Sequence, residues 1–557
     1  MKISAIVCAV ALALAAFAPA LALAQSEVPA DSCAVYLQGS DFVGPPADLA
    51  RLIDLQDTTS NASFVLRRAG RGHAGNACTA PRAVTDMALL LGTRPPGTGV
   101  RVLAPELLVV GNSAYPHDWN EGVLWSGRGL STALSAGVAA QWGAFSAALA
   151  PVVTWQSNSE FDILPQPEPD HSEYGSAWST AIDLPQRFGA GSFARIDAGQ
   201  SYARVDVRGF GAGVSTENIR WGPSLRNPLL LSGTAGGFAH AFVETARPVD
   251  IWIGDLELQL FWGRLTESEY FDDDPDNDHR MLAGLLLALQ PRVFEGLTVG
   301  AGRLQALTWW PELSLADVVI GPYRDVSSNP QDRRGDNQLI TAFFRFATAP
   351  DGLEAYGEWA REDHWDGWSG LLRNLDASQA WTLGLQKVVR LDANALRLNA
   401  EVSHLSDALP IRFAQRDGGV GFYTNTAVRQ GHTHRGQLLG APIGTGAESL
   451  FVGADYFWDA GRSSLSVERA RYNDDVYNVQ FAPYFGSHAR DTELTFRAGH
   501  LATLGPLSVD AMAGWSLRYN RDLLGLSEIR QAGGGVYRRD RNWSLRLGVR
   551  WAGGWAR

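Results

Sequence analysis

Leu256-Glu257-Leu258-Gln259-Leu260-Phe261-Trp262-Gly263-Arg264 decides the fold. The apolar leucines recur every second residue, and the residues between them are mostly polar. A period of two is that of an extended strand with one greasy and one wet face. The same alternation opens the region at 202–208. Tyr202, Arg204, Asp206 and Arg208 fall on one side, and Ala203, Val205 and Val207 on the other. A membrane β-barrel strand is built this way, with lipid outside and a polar lumen inside.

The pattern recurs outward from there. Leu396, Leu398, Ala400 and Val402 alternate with Arg397, Asn399, Glu401 and Ser403. Comparable runs occupy 509–518 and 543–551. Gly129–Ala139 and Ala144–Trp155 read as two small-residue strands joined near Trp142-Gly143, and a polar loop follows from Ser157 to about Arg187. Aromatic residues sit near strand ends, at Trp309-Trp310, Trp359, Trp365, Trp368, Trp381 and Trp458, which suits interfacial girdles. A soluble sandwich also alternates, but the whole pattern favours a mainly β, transmembrane antiparallel β-barrel spanning 124–557. At roughly 24 residues per strand and loop, such a length gives about 18 strands.

The start of the chain reads differently. Lys2, an apolar run and Ala22-Leu23-Ala24 make residues 1–24 a secretory signal peptide. Residues 25–123 read as a small periplasmic region, not strand-like, with short helices at 45–55 and 82–91. Cys33 and Cys78 would remain after export, and an isolated pair in an oxidising compartment points to one disulfide, with two free thiols as the alternative. The net charge of −12 makes nucleic acid an unsuitable partner.

No serine-hydrolase elbow, Walker loop or His-Glu-x-x-His motif occurs, and no cofactor or metal is expected. The acidic run 272–278 offers carboxylates to a hard cation, but it lacks the glycine and terminal glutamate of an EF-hand loop; a solvated loop is the competing reading. His432 and His434 are either metal ligands or structural hydrogen-bonding groups. A glycan needs an aromatic face and planar polar partners for its hydroxyls. Glu217, Asn218, Arg220 and Trp221 supply that set within five positions, and Trp365, Asp366 and Trp368 supply a second. The competing role for these tryptophans is interfacial anchoring.

Several ordered motifs carry a family resemblance. They are Asn112-Ser113-Ala114-Tyr115-Pro116, Ser126-Gly127-Arg128-Gly129, Ile182-Asp183-Leu184-Pro185-Gln186-Arg187, Ser215-Thr216-Glu217-Asn218 with Trp221-Gly222-Pro223, and His434-Arg435-Gly436-Gln437-Leu438-Leu439-Gly440. Together the chain resembles the capsule-assembly Wzi family. The resemblance implies an outer-membrane barrel with a helical periplasmic part, and a monomer is expected. It also implies a lectin that holds capsular polysaccharide or exopolysaccharide at the cell surface and does not cut it. A diffusion channel for saccharides is the second hypothesis. The two differ in the lumen, where bulky residues of both signs, such as Arg204, Asp206, Arg208, Arg397 and Glu401, lean toward a filled interior.

Overall fold

The computed structural model describes residues 34–37, 42–44, 46–56, 63–68, 73–76, 80–91, 98–117, 120–166, 171–272, 274–275, 277–307, 336–349, 351–362, 378–405, 421–459, 461–486, 488–526 and 538–551. Its dominant element is a closed antiparallel barrel of 18 strands. The last strand, Arg539–Trp551, pairs with Gly99–Asn112 and seals the cylinder. Connections alternate between short turns at one end, such as 505–506, and long loops at the other, such as 157–192 and 405–447. Outer-membrane barrels place the short turns in the periplasm and the long loops outside the cell. None of the described helices is long and apolar enough to cross a membrane.

Alternation sets the two faces as expected. In Gly254–Thr266, Glu257, Gln259 and Phe261 are buried inside, while the intervening Leu256, Leu258, Leu260 and Trp262 are less covered. The apolar outer surface includes Leu134, Val153, Ile196, Leu465 and Leu545, all exposed. Arg204 points inward, to Asp206 and to Glu244 at 3.0 Å, and Arg397 pairs with Asp455 at 2.8 Å. Arg208 departs from the expectation. It occupies a left-handed turn position (φ 53°) at the barrel end and is exposed, so it fills no part of the lumen.

One boundary is corrected. The barrel begins at Gly99, ahead of the expected start at residue 124, because Gly99–Asn112 is a spanning strand. Two features hid it. Its register shifts between Leu103 and Glu106, at a bulge that accommodates Pro105, a residue with no N–H for the ladder. Leu107-Leu108-Val109-Val110 is also apolar on both faces, since Leu108 and Val110 pack inward beside Phe42 and Leu124.

The expected helices are present as α1 (Pro46–Asp54) and α2 (Arg82–Leu91). They do not hang below the barrel. Leu49, Leu52 and Ile53 of α1 and Val84, Met87 and Leu91 of α2 form one cluster with Val388, Ala395, Phe457 and Leu501 of the inner wall. Polar ties reinforce this packing. Arg51 and Arg345 share the Glu354 carboxylate, Arg345 also meets Asp54 at 2.6 Å, and Arg397 reaches Asp48 at 3.1 Å. Two long loops fill the rest from the opposite end. Leu229, Leu230, Leu231 and Phe238 from one, and Phe422, Tyr423, Leu438 and Leu439 from the other, pack on Phe261, Leu286 and Phe343 of the wall. Cys33, Cys78 and the signal stretch lie outside the described residues.

Glu354 is the hub of this packing, so its loss has a calculable cost. Removing one partner of a buried ion pair leaves uncompensated charge and costs about 3–5 kcal/mol. Glu354→Ala is expected to lower the urea midpoint of the folded barrel in detergent, with Glu354→Gln intermediate. A midpoint equal to that of the parent protein would show that the network contributes nothing.

Candidate functional site

At the long-loop end, five connections converge on a cavity of about 260 Å³. Tyr115 comes from 113–128, Phe161 and Trp178 from 157–192, Thr445 and Gly446 from 421–447, Asp475 from 473–490, and Arg521 and Asp522 from the segment after Tyr519. The lining therefore combines aromatic faces with carboxylates and guanidiniums.

Its floor is held by a connected polar network. Tyr115 donates its hydroxyl hydrogen to Glu493 at 2.8 Å and lies 2.9 Å from the Ser516 hydroxyl. Burial and the nearby Glu493 carboxylate push the Tyr115 phenol up, so it stays protonated. Arg518 grips both oxygens of Asp491 at 2.7 Å and Asp522 at 3.0 Å. Such bidentate, charge-assisted pairs fix orientation as well as energy. Arg521 donates to Asp522 at 2.6 Å and to the Asp162 carbonyl at 2.8 Å, with its guanidinium near the Tyr115 and Phe161 rings.

The backbone here is unusual. Asn520, Asp522 and Leu523 all have φ between 52° and 56°, and Asn473 has φ 53°. Left-handed non-glycine residues cost free energy and persist only where surrounding bonds over-determine them. The Asp522 N–H donates to Asp491 at 2.8 Å, which supplies such a bond. Gly446 (φ 56°) sits where a Cβ would come within 3.1 Å of Asp475, so the carboxylate can occupy the wall. Trp178 is half-buried, packs edge-on against Phe481, and its indole Nε1 has no protein partner.

The residues expected from sequence lie elsewhere. Trp221 has no exposed surface. It donates to Gln259 at 2.7 Å and packs on Phe261 in the lumen core, so it offers no face to a sugar. Glu217 is equally buried, accepts from Ser215 at 2.9 Å and lies 4.0 Å from Arg68. Asn218 and Arg220 line a separate inner cavity. Trp365, Asp366 and Trp368 fall outside the described residues. No local motif gathers the outer set, because its members are scattered from residue 115 to 522. Of the lining residues, Tyr115, Pro116, Ile182, Leu184, Pro185 and Gln186 lie in the motifs quoted from the sequence, none of which was read there as a glycan site.

His432 and His434 hold structure. The His432 Nε2–H donates to the Leu230 carbonyl at 2.6 Å, and the Thr266 N–H donates to His434 Nδ1 at 3.1 Å. Burial lowers both imidazoles, His432 to about 4, so both are neutral. Among the described residues no group of His, Cys, Asp or Glu is placed to hold a metal ion.

Comparison with known proteins places the chain. The family model for the capsule assembly protein Wzi matches residues 120–523. The chain belongs to the Wzi capsule assembly family. Among solved structures, it is similar to Wzi of Escherichia coli, described as a carbohydrate-binding β-barrel of the outer membrane involved in group 1 capsule assembly. The two share 13% identity and a TM-score of 0.55, covering 85% of this chain and 90% of that one. Two Pseudomonas aeruginosa proteins, OccK2 and OprD, are more distant, at 12% and 10% identity and TM-scores of 0.38 and 0.35. They cover 81% and 82% of this chain and 96% and 95% of their own. No curated protein sequence matches. Family and fold together make this an outer-membrane protein of capsule assembly.

The outer loops also carry a titrating contact. Gln430 donates to Glu267 at 2.6 Å, tying 421–447 to the loop beyond Thr266. Burial, then the charges of Asp272, Asp183 and Asp278, push Glu267 up to about 8, with the Gln430 bond opposing. Its folded pKa exceeds the ordinary carboxylate value, so the unfolded chain loses this proton first. Stability from this group is full below about pH 4.5 and falls as pH rises toward 8. Glu267→Gln is expected to flatten the fall in melting temperature between pH 5 and 8. An unchanged slope would place the titration elsewhere.

Proposed function

We propose that the protein binds capsular polysaccharide or exopolysaccharide through its outer loops and anchors it at the cell surface. The single observation that carries this reading is the cavity at 115–522. Trp178 presents an aromatic surface with an unused N–H donor, beside Asp475, Arg521 and Asp522. Sugar rings stack their apolar faces on indoles while planar polar groups take the hydroxyls. Family membership and the carbohydrate-binding description of the E. coli protein support the same reading.

The site holds glycan and does not cut it. Asp522 is held by the guanidiniums of Arg518 at 3.0 Å and Arg521 at 2.6 Å, which gives it a binding rather than a reacting role in this reading. The filled lumen favours the anchor over a saccharide channel. The protein works as a monomer in the lipid of the outer membrane, with polysaccharide as its partner; nucleic acid and cofactors have no role.

The test is binding of the refolded protein to polysaccharide from its own cells, with an unrelated acidic glycan as control at moderate salt. Trp178→Ala is expected to weaken binding about tenfold, a loss of about 1.4 kcal/mol. Equal affinity for parent and variant would remove the cavity from the binding surface. Binding of both glycans alike would reduce the interaction to charge.

A further inference from the structure

The lipid-facing side of four consecutive strands carries a layered pattern unconnected with the glycan cavity. Gly461–Tyr472, Asp491–Leu504, Leu507–Tyr519 and Arg539–Trp551 lie side by side in continuous register. Their inward positions, such as Glu468, Glu493, Arg518 and Asn542, are buried, so the alternate residues face outward. The register joins those outward residues into rows across the sheet.

The row nearest the long loops is Arg471, Thr492, Tyr519 and Arg539, and the next is Arg469, Leu494, Leu517 and Arg541. Below them come Val467, Phe496, Trp515 and Trp543, and then Leu465, Ala498, Ala513 and Leu545. Phe496 and Trp515 stack with ring centroids 6.1 Å apart, and Trp543 and Leu545 are exposed. Cations and hydroxyls come first, aromatics next, and small or aliphatic side chains last. That is the order met on passing from a lipid head group to its acyl chains.

The guanidiniums are short of counter-charge. No carboxylate occupies any of the four rows. Arg469, Arg539 and Arg541 are exposed, and none of them forms an ion pair with a described residue; Arg539 lies over the Tyr519 ring at 5.5 Å. Arg471 meets Glu448 and Asp474, which leaves Arg469 as the free member on that side. The hydroxyls of Thr492 and Tyr519 stand between the two arginine pairs, without a hydrogen-bond partner among the described residues. Strand spacing and rise put the Cα atoms of the four arginines at the corners of a patch about 14 Å wide and about 7 Å high. A head group with one phosphate reaches one pair, and a head group with two reaches both.

We propose that this face docks a diphosphorylated glycolipid of the outer leaflet. One phosphate sits at Arg469 and Arg471 and the other at Arg539 and Arg541, whose planar forks match phosphate oxygens. The sugar hydroxyls meet Thr492 and Tyr519, and the acyl chains lie along the rows of Trp543 and Leu545. Two observations select this occupant: positive charge without matching acid, and unbroken continuity with the lipid-covered face below. The patch lies on the outside of the barrel and shares no residue with the glycan cavity.

The test titrates the full-length refolded protein in detergent with diphosphoryl lipid A, its dephosphorylated form and phosphatidylglycerol, and reads bound lipid by native mass spectrometry. One diphosphoryl lipid A per barrel is expected to be retained at least tenfold more strongly than either of the others. Combining Arg469→Gln with Arg541→Gln is expected to lower that retention at least tenfold. The same double variant is expected to keep the lipid-free melting temperature and the polysaccharide binding of the parent, so failure here is separable from failure of the glycan cavity. Retention of the dephosphorylated form or of phosphatidylglycerol as strong as that of diphosphoryl lipid A, or retention that the double variant leaves intact, overturns the proposal.

Discussion

The structure depends on how charges are neutralised inside a barrel. An 18-stranded cylinder encloses more volume than its own inward side chains fill. Here α1 supplies Arg51 and Asp54 to Glu354 and Arg345 on the wall, an alternating set of two cations and two anions, all buried. Each charge alone would be costly to remove from water, and the set is tolerable only because it is complete. The result fixes the N-terminal segment inside the lumen, where its apolar face meets Val388, Ala395, Phe457 and Leu501.

That plug organises the other end. Leu66–Arg68 pairs with Ile219–Trp221, which belongs to a long loop folded inward. Trp221 then becomes the centre of an apolar cluster that also takes in Leu229–Leu231, Tyr423 and Leu438-Leu439. Glu401 fixes the same loop by accepting from the backbone N–H groups of Leu225 and Asn227, both within 2.9 Å. The outer loops are thus mounted on the packed plug and inward loops, and the Tyr115–Trp178–Arg521 cavity is built on that base. Left-handed Asn520, Asp522 and Leu523 are affordable there because Asp491 and Arg518 hold them.

Much of the fold was legible in the sequence. Strands such as Gly254–Thr266 and Asn394–His404 alternate cleanly because lipid covers one face and polar lumen groups the other. The first helix was visible from its 3.6-residue periodicity and the second from Pro81 just ahead of it. Gly99–Asn112 was hidden because its inner face meets the plug and so is apolar too, and because Pro105 breaks its rhythm at a bulge. The site was far less legible. Glu217-Asn218-Ile219-Arg220-Trp221 has the composition of a sugar site, yet Trp221 and Glu217 serve the interior. Composition within a short window cannot tell a tryptophan that binds from one that packs. The outer cavity draws its residues from five separate loops, and only tertiary structure gathers them.

The central claim is that this barrel is a filled scaffold for its outer loops. Single-molecule conductance in a planar bilayer tests it most directly. The ion-paired plug and the two inward loops predict no steady ohmic current from the intact protein, with current appearing only when Glu354→Ala loosens the plug. Steady open-channel steps from the intact protein would contradict the filled lumen and bring the saccharide channel forward.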